Sequence, residues 1–137
     1  MMLPSGLADL VADEEELARY LTSSSQFNLQ GVKPAAFMPI DGETSVFRHG
    51  GEPREELWQI ARVHALGNRT LYGAAIVTAQ HVRAEHLDVH ADEPPPRHAV
   101  VVRWATGTDP ELTKAAQKEQ AARLSQRAQL VPFDAPE

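Results

Sequence analysis

The sequence predicts an α+β fold, a small and mainly antiparallel sheet covered by about three helices. The run His98–Trp104 (HAVVVRW) holds three consecutive valines, which favour a central strand buried on both faces. Apolar residues at helical spacing run from Pro53 to Leu66, and an alanine-rich segment follows Asp109. Because helices and a sheet must bury their apolar faces against each other, one layer of helices on one sheet is the simplest packing.

Length and composition predict one domain. The chain has 137 residues, of which 42% are hydrophobic and 23% charged, close to the averages for globular proteins. A chain of this size supports a single core, and no internal repeat is visible. We expect residues 1–137 to form one domain, with flexible ends at 1–6 and 132–137.

Charge and cysteine content restrict the partners and the compartment. A net charge of −6 disfavours nucleic-acid binding, which needs clustered Lys and Arg to replace counterions. The lack of cysteine excludes disulfides and thiolate ligands, and it favours a reducing compartment. The first residues do not resemble an export signal, and no stretch approaches the ~18 apolar residues of a membrane span. We expect a cytoplasmic protein.

The first half of the chain predicts one helix, one loop and one strand. A helix is predicted to begin at Asp13, which with Glu16 matches a capping box, and to end at the serines after Leu21. The apolar stripe at helical spacing comprises Leu7, Leu10, Val11, Leu17, Ala18 and Leu21, so the alternative is a helix of about four turns that begins earlier and restarts at Asp13. Prolines and glycines make Gln26–Gly42 a long loop, with at most a short strand at Ala35–Met38. The alternating run from Thr44 predicts a strand that stops at Gly50 and Gly51.

The second half predicts alternating helices and strands. Pro53–Leu66 is a helix in which Trp58 seals the core edge, and Leu71–Thr78 is a strand. Ala79–His86 forms about one and a half helical turns, and Leu87–His90 alternates as a strand does. The prolines of Asp92–Pro96 predict a stiff, extended connection. The last helix is capped by Thr108 or Asp109 and runs to about Gln129; its apolar side comprises Leu112, Ala115, Ala116, Ala122 and Leu124. We expect Leu130, Val131 and Phe133 to pack the C-terminal tail against the rest of the domain.

The usual motifs of catalysis and cofactor binding are absent from the sequence. No GxxxxGK[ST], GxGxxG, HExxH or GxSxG occurs. Four histidines lie between His81 and His98, but their spacing favours hydrogen-bonded or surface side chains over a zinc site. The acidic groups Glu14–Glu16 and Glu55–Glu56 lie in predicted first helical turns, where the helix dipole explains them. We therefore expect no metal, no cofactor and no catalytic residue.

Two arginines and a histidine form the one candidate ligand site. Arg48 ends a predicted strand, and Arg97 and His98 open the valine-rich strand. If those strands are neighbours, the three side chains could face one cleft and hold an anion by paired hydrogen bonds. The alternative is that each side chain lies near water and pairs with a local acid such as Asp92 or Glu93.

Two resemblances accompany these patterns. The order TSVFR, ELWQIA, LYGAAIVTAQHVR, LDV, DEPPPRHAVVV and a terminal Ala-rich helix, over about residues 27–130, resembles a group of short bacterial proteins with no assigned activity. The segment Phe47-Arg48-His49-Gly50 resembles the aromatic-Arg-Gly end of the first strand in ADP-ribosyltransferase domains, which would make Arg48 a cofactor-holding residue. The STS-like strand and ExE motif that follow in those enzymes are absent here.

Two functions remain open from the sequence. The first is a non-enzymatic accessory or protein-interaction domain of a bacterial cytosol. It would use the loop Gln26–Gly42 or the alanine face of the last helix to meet a protein partner or a second copy of the chain. The second is a small enzyme or binding protein for an anionic or nucleotide-like ligand, with Arg48, Arg97 and His98 as its binding groups. Neither nucleic acid nor membrane is an expected partner.

Overall fold

Six strands form one sheet in the computed structural model, which describes residues 3–49 and 52–133. In chain order the strands are β1 (Glu16–Leu21), β2 (Phe27–Asn28), β3 (Gly31–Val32), β4 (Thr44–Arg48), β5 (Gly73–Thr78), β6 (Asp88–Ala91), β7 (His98–Val102) and β8 (Gln129–Pro132). In space the large sheet runs β6-β7-β4-β1-β5-β8, and β2 pairs with β3 apart from it. Every pairing between these strands is antiparallel, as predicted.

The described part of the chain has three α-helices, which confirms the α+β class: α1 (Arg54–Ile60), α2 (Ala79–Ala84) and α3 (Pro110–Arg127). A π-helical segment, Ala61–Ala65, extends α1 over most of the predicted range. Asp109 caps α3, because its carboxylate accepts hydrogen bonds from the amides of Glu111 and Leu112. The helices predicted after Pro53, Ala79 and Asp109 are therefore confirmed.

The helices lie on both faces of the sheet, so the predicted single layer is wrong. α2 and α3 pack against one face, with Leu17 and Val46 beneath them. α1 and the π-helical segment pack against the other face, over Ala18 and Phe47. Consecutive strand residues point to opposite faces, and here both members of each neighbouring pair are apolar. Both faces must therefore be covered. Trp58, 5% exposed, lies in the α1 layer.

The valine-rich strand is an interior strand, as predicted. β7 pairs with β6 on one side and with β4 on the other, and Ala99 and Val101 are fully buried.

The proline-rich segment before β7 is not extended, because antiparallel β6 and β7 require the chain to reverse. The amide of Asp92 donates to the carbonyl of His98, and the amide of His98 donates to that of Pro95. These bonds close a hairpin between β6 and β7.

The helix predicted over Asp13–Leu21 is wrong, since this segment forms β1. β1 pairs with β5 along its whole length and with β4 at two positions. A strand buried on both faces shows no alternation of apolar and polar residues, so Leu17, Ala18 and Leu21 match helical spacing by coincidence. The predicted capping pair is also absent. Instead the Glu15 carboxylate accepts a hydrogen bond from the amide of Ala12 at 2.7 Å.

The segment Gln26–Gly42 is mostly loop, as predicted, and its short strands are β2 and β3 rather than the one allowed for at Ala35–Met38. Pro34–Ala36 forms a turn of 3₁₀ helix, and the fully buried Phe37 follows it into the core. Pro34 favours this turn because its fixed φ suits the start of a helix. The strand predicted from Thr44 is confirmed, whereas its stop at Gly50 and Gly51 lies outside the described residues.

The alanine-rich helix packs by a narrower face than predicted. Ala121, Leu124 and Ser125 are buried, whereas Leu112, placed on the apolar side by sequence, is 70% exposed. Short alanine side chains give this helix little preference for one side, so its C-terminal half alone meets the sheet.

After α3, β8 pairs with β5, and Phe133 packs edge-on against Trp58. Of the ends expected to be flexible, 1–6 and 132–137, residues 1–2 and 134–137 lie outside the described residues, and Pro132 belongs to β8.

Gly73 permits β8 to pair closely with β5. An alanine Cβ at this position would lie 2.5 Å from the Val131 carbonyl oxygen. We expect Gly73→Ala to lower the free energy of unfolding by roughly 1–3 kcal/mol, because backbone must move to remove the overlap. Urea unfolding followed by tryptophan fluorescence measures this change.

Gly107→Ala is the matched control for that substitution. Its Cβ would meet only the Thr113 hydroxyl, at 3.0 Å, and this side chain can rotate away. We expect a change of about 0.5 kcal/mol or less. Equal losses in the two variants would contradict the close approach of β8 to β5.

Candidate functional site

Arg48 serves as an internal anchor. It is 1% exposed, and its guanidinium donates two hydrogen bonds of 2.8 Å to the two carboxylate oxygens of Glu15. A further bond of 2.6 Å reaches the carbonyl of Ala8. This two-point pairing is the strongest geometry available to an arginine and a carboxylate. Arg48 therefore fixes the segment before β1 to the end of β4, and its charge is already neutralised.

Arg97 and His98 lie at the start of β7, which is a neighbour of β4 as expected, but the three predicted side chains do not share a cleft. The Arg48 amide donates to the Arg97 carbonyl at 2.8 Å, so the main chains are adjacent. The Arg97 guanidinium donates to the Arg48 carbonyl at 3.1 Å and lies 3.5 Å from Glu52. His98 is paired with Phe47, and the two rings meet edge-on at 5.3 Å. Phe47 and Arg48 lie on opposite faces of β4, which separates His98 from Arg48.

His98 instead faces a cavity of ≈ 260 Å³, which we call the β1–β4 cavity. Basic and hydroxyl side chains predominate in its lining. The lining residues are Arg19, Tyr20, Thr22, Ser45, Phe47, His64, Ala65, Arg69, Pro95 and His98. No carboxylate is among these residues, although the chain as a whole carries a net charge of −6. The cavity is thus locally positive in an acidic protein.

The cavity arises where two strands separate. β1 and β4 pair only at Leu17 with Arg48 and at Ala18 with Phe47. Beyond this point the Ser45 carbonyl has no β1 amide to accept from. Arg19 satisfies it, because its guanidinium donates to the Ser45 carbonyl at 3.0 Å and to the Ala36 carbonyl at 2.8 Å. The side chain replaces the missing backbone pairing and brings a positive charge to the gap.

Arg19 has carbonyl partners but no carboxylate partner among the described residues. Its burial lowers the pKa of the guanidinium, and the nearby charge of Arg69 lowers it further. Arginine stays protonated in proteins despite such shifts. Two neighbouring cations without an acid are electrostatically unfavourable, so a bound anion would stabilise them.

Arg69 reaches the cavity from the loop after the π-helical segment. Its guanidinium donates to the carbonyls of Ala65 at 2.6 Å and Leu66 at 3.2 Å, which satisfies the C-terminal end of that segment. These bonds use Nη2 and Nε. No hydrogen bond within the described residues uses Nη1, and the same holds for Nη2 of Arg19. One terminal nitrogen of each arginine thus remains for a ligand.

The hydrogen bond of His98 fixes which ring nitrogen it offers. Its Nδ1 lies 2.9 Å from the Asp92 carbonyl oxygen, which can only accept. Nδ1 must therefore carry the proton, and Nε2 is left for a ligand. The Asp92 carboxylate also lies 3.3 Å from Nδ1. His64, from the π-helical segment, adds a second imidazole to the wall.

Tyr20 is a structural part of the wall. Its hydroxyl donates a hydrogen bond of 2.6 Å to the Leu57 carbonyl and ties α1 to β1. Burial raises the pKa of Tyr20, while Arg97 lowers it and Glu56 raises it, and the net shift is upward. Tyr20 therefore stays neutral, with its proton committed to α1.

The chain matches no family model, no curated protein and no solved structure. The resemblances drawn from its sequence segments accordingly stay predictions. No helix in residues 3–49 and 52–133 is long and apolar enough to cross a membrane. Within those same ranges, no three His, Asp or Glu side chains converge as metal ligands.

Sequence reasoning found His98 but missed Arg19, His64 and Arg69. Arg19 was hidden because its segment was assigned to a helix, where a charged residue faces water without cost. In a strand buried on both faces, an arginine needs partners, and that is the signal that could have revealed it. Arg69 follows Gly67 in a loop, where the sequence carries no sign of what it faces.

Removing Arg48 tests its anchoring role. We expect Arg48→Met to lower the free energy of unfolding by about 3–5 kcal/mol, because Glu15 would keep a largely buried, unpaired carboxylate. The Glu15 side chain is only 18% exposed. Urea unfolding provides the measurement. Lys118→Gln on the exposed side of α3 is the control, and a similar small change in both variants would show that Arg48 anchors nothing.

Proposed function

We propose that the chain binds a small anion in the β1–β4 cavity. The observation that carries the proposal is the convergence of four basic side chains on a cavity whose lining contains no carboxylate: Arg19, His64, Arg69 and His98. Hydrogen bonds from charged donors to anions are about twice as strong as neutral ones. As the sequence predicted, the ligand is an anion and His98 is one of its binding residues. Arg48 and Arg97, which the sequence also predicted, are not part of the proposed site.

Arg48 and Arg19 show why the site lies in this cavity. Both guanidiniums lie at the β1–β4 boundary. Arg48 has a carboxylate, Glu15, held at 2.8 Å by two bonds. Arg19 has two carbonyl oxygens, which accept its protons but do not cancel its charge. The uncancelled charge therefore belongs to Arg19 and, next to it, Arg69.

The size of the cavity favours a small ligand. Pockets for drug-sized molecules range over roughly 300–1,000 Å³. At ≈ 260 Å³ the β1–β4 cavity is slightly smaller, so it suits a small metabolite with one compact charged group. Phe47, Ala65 and Pro95 supply apolar surface for the remainder of such a molecule.

Titration with small anions tests the proposal. Inorganic phosphate, sulfate, citrate and benzoate serve as probes, at low ionic strength, with amide chemical shifts and calorimetry as readouts. We expect at least one to bind and to shift amides of β1, β4 and the loop around Arg69. Arg69→Gln should weaken that binding about tenfold, because a charged donor is lost from the site.

Lys118→Gln is the matched control, since it removes the same charge from an exposed position on α3. Its affinity for the probes should equal that of the unchanged chain. Two results would overturn the proposal: none of the four anions binds the unchanged chain, or the Lys118 variant loses as much affinity as the Arg69 variant. Circular dichroism establishes that both variants are folded.

A second candidate is self-association, in line with the interaction role expected for the loop Gln26–Gly42. Leu29, at the tip of the β2–β3 hairpin, is fully exposed. It borders an apolar groove that also contains Phe27, Tyr72, Leu130 and Pro132. A protruding leucine beside an apolar groove is self-complementary: in a twofold pair, each Leu29 would fill the groove of the other copy. We propose a second copy of the chain as the occupant.

Sedimentation over a range of concentrations tests this second candidate. We expect a dimer for the unchanged chain and a monomer for Leu29→Ser. Ile40→Ser is the control, because Ile40 is 75% exposed in the same loop but does not line the groove. A monomeric unchanged chain at all concentrations would remove the candidate.

A further inference from the structure

The two arginines of the β1–β4 cavity are arranged for one shared group. Both arginines line this cavity, and burial and the charge of Arg69 lower the pKa of the Arg19 guanidinium. Each has one terminal nitrogen that no hydrogen bond within residues 3–49 and 52–133 uses. Their other nitrogens are fixed on carbonyls of Ser45, Ala36, Ala65 and Leu66. Both donors are thus held in position before a ligand arrives.

Two hydroxyls add neutral donors to the same wall. Ser45 and Thr22 line the cavity, and no hydrogen bond in the described part of the chain uses either hydroxyl. Ser45 lies directly beside Arg19, which holds its carbonyl at 3.0 Å. The cavity lining therefore combines two arginines, the hydroxyls of Ser45 and Thr22, and the imidazole of His98.

On the basis of the proposed anion binding, we infer that the ligand is the phosphomonoester of a small molecule, with its phosphoryl group between Arg19 and Arg69. A phosphomonoester has three terminal oxygens, so two guanidiniums and a hydroxyl can each donate to a different one. A carboxylate has only two oxygens, so two of these three donors would have to share one oxygen. Planar guanidinium groups are the preferred partners of phosphate in proteins.

Charge matching points to the same ligand. A phosphomonoester carries a charge of about −1.5 to −2 at neutral pH. That charge balances both arginines, whereas a monocarboxylate balances one and leaves the other uncancelled. The organic part is then placed against Phe47, Ala65 and Pro95, which gives an ester more contact than free phosphate has.

Probes matched in shape test the inference. Phenyl phosphate and benzoate share a ring and differ in the charged group, and inorganic phosphate lacks the ring. In calorimetry at neutral pH and low ionic strength, we expect phenyl phosphate to bind about tenfold or more tightly than benzoate, since it gains a second charged contact. We expect it also to bind more tightly than inorganic phosphate.

Two variants connect that preference to the cavity. Arg69→Gln should bring phenyl phosphate and benzoate close to equal affinity, because only one guanidinium then remains. Ser45→Ala should weaken phenyl phosphate severalfold and leave benzoate unchanged. Lys118→Gln should alter neither ligand. Amide shifts of Ser45 and Arg69 on addition of phenyl phosphate locate the bound molecule.

The possible failures are distinguishable. If benzoate binds as tightly as phenyl phosphate, the phosphomonoester inference is overturned and anion binding stands. If inorganic phosphate binds as tightly as the ester, the inferred ester is also wrong, because the apolar wall then contributes nothing. If no anion binds the unchanged chain, the proposed function and this inference are both overturned.

Discussion

The structure depends on how two arginines close the short boundary between β1 and β4. These strands share only two residue pairs, although they lie in the middle of the six-stranded sheet. Arg48 holds one end of the boundary through Glu15, and Arg19 bridges the other end through two carbonyls. A gap in a central sheet leaves backbone acceptors without donors, which is costly in a core. Arg19 supplies such a donor to the Ser45 carbonyl, and Arg48 ties the segment before β1 to the end of β4.

The two arginines differ in what balances their charge. Arg48 has a carboxylate partner and a structural role, whereas Arg19 has none among the described residues and is proposed to bind a ligand. Arg48 is paired with a carboxylate and is nearly fully buried, so it acts as an internal strut. Within residues 3–49 and 52–133, Arg19 donates only to uncharged partners, the carbonyls of Ala36 and Ser45. Its charge therefore remains, with that of Arg69 beside it, in a cavity without an acid in its lining. The positive charge that remains at the Arg19 end of the boundary is the basis of the proposed anion site.

Sequence patterns predicted the strands and helices whose residues carry their own local signals. β7 has three consecutive valines, α1 has a proline at its start and acidic residues in its first turn, and α3 has Asp109 as its cap. The prediction for the β1 segment was wrong for a physical reason: burial on both faces removes the alternation that identifies a strand. The same error concealed Arg19, because a polar residue in a helix needs no internal partner. Of the cavity's basic residues, only His98 was found from sequence.

The sequence by itself determined the α+β class, the acidic balance and the positions of most elements, since these follow from local propensity, turn residues and caps. Only the tertiary structure decided which arginine meets a carboxylate and which does not. Glu15 and Arg48 are 33 residues apart in the chain, and Arg19 and Ser45 are 26 apart. No local pattern encodes such contacts. They exist because the order of strands in the sheet brings these residues together, and the charge of the cavity follows from that order.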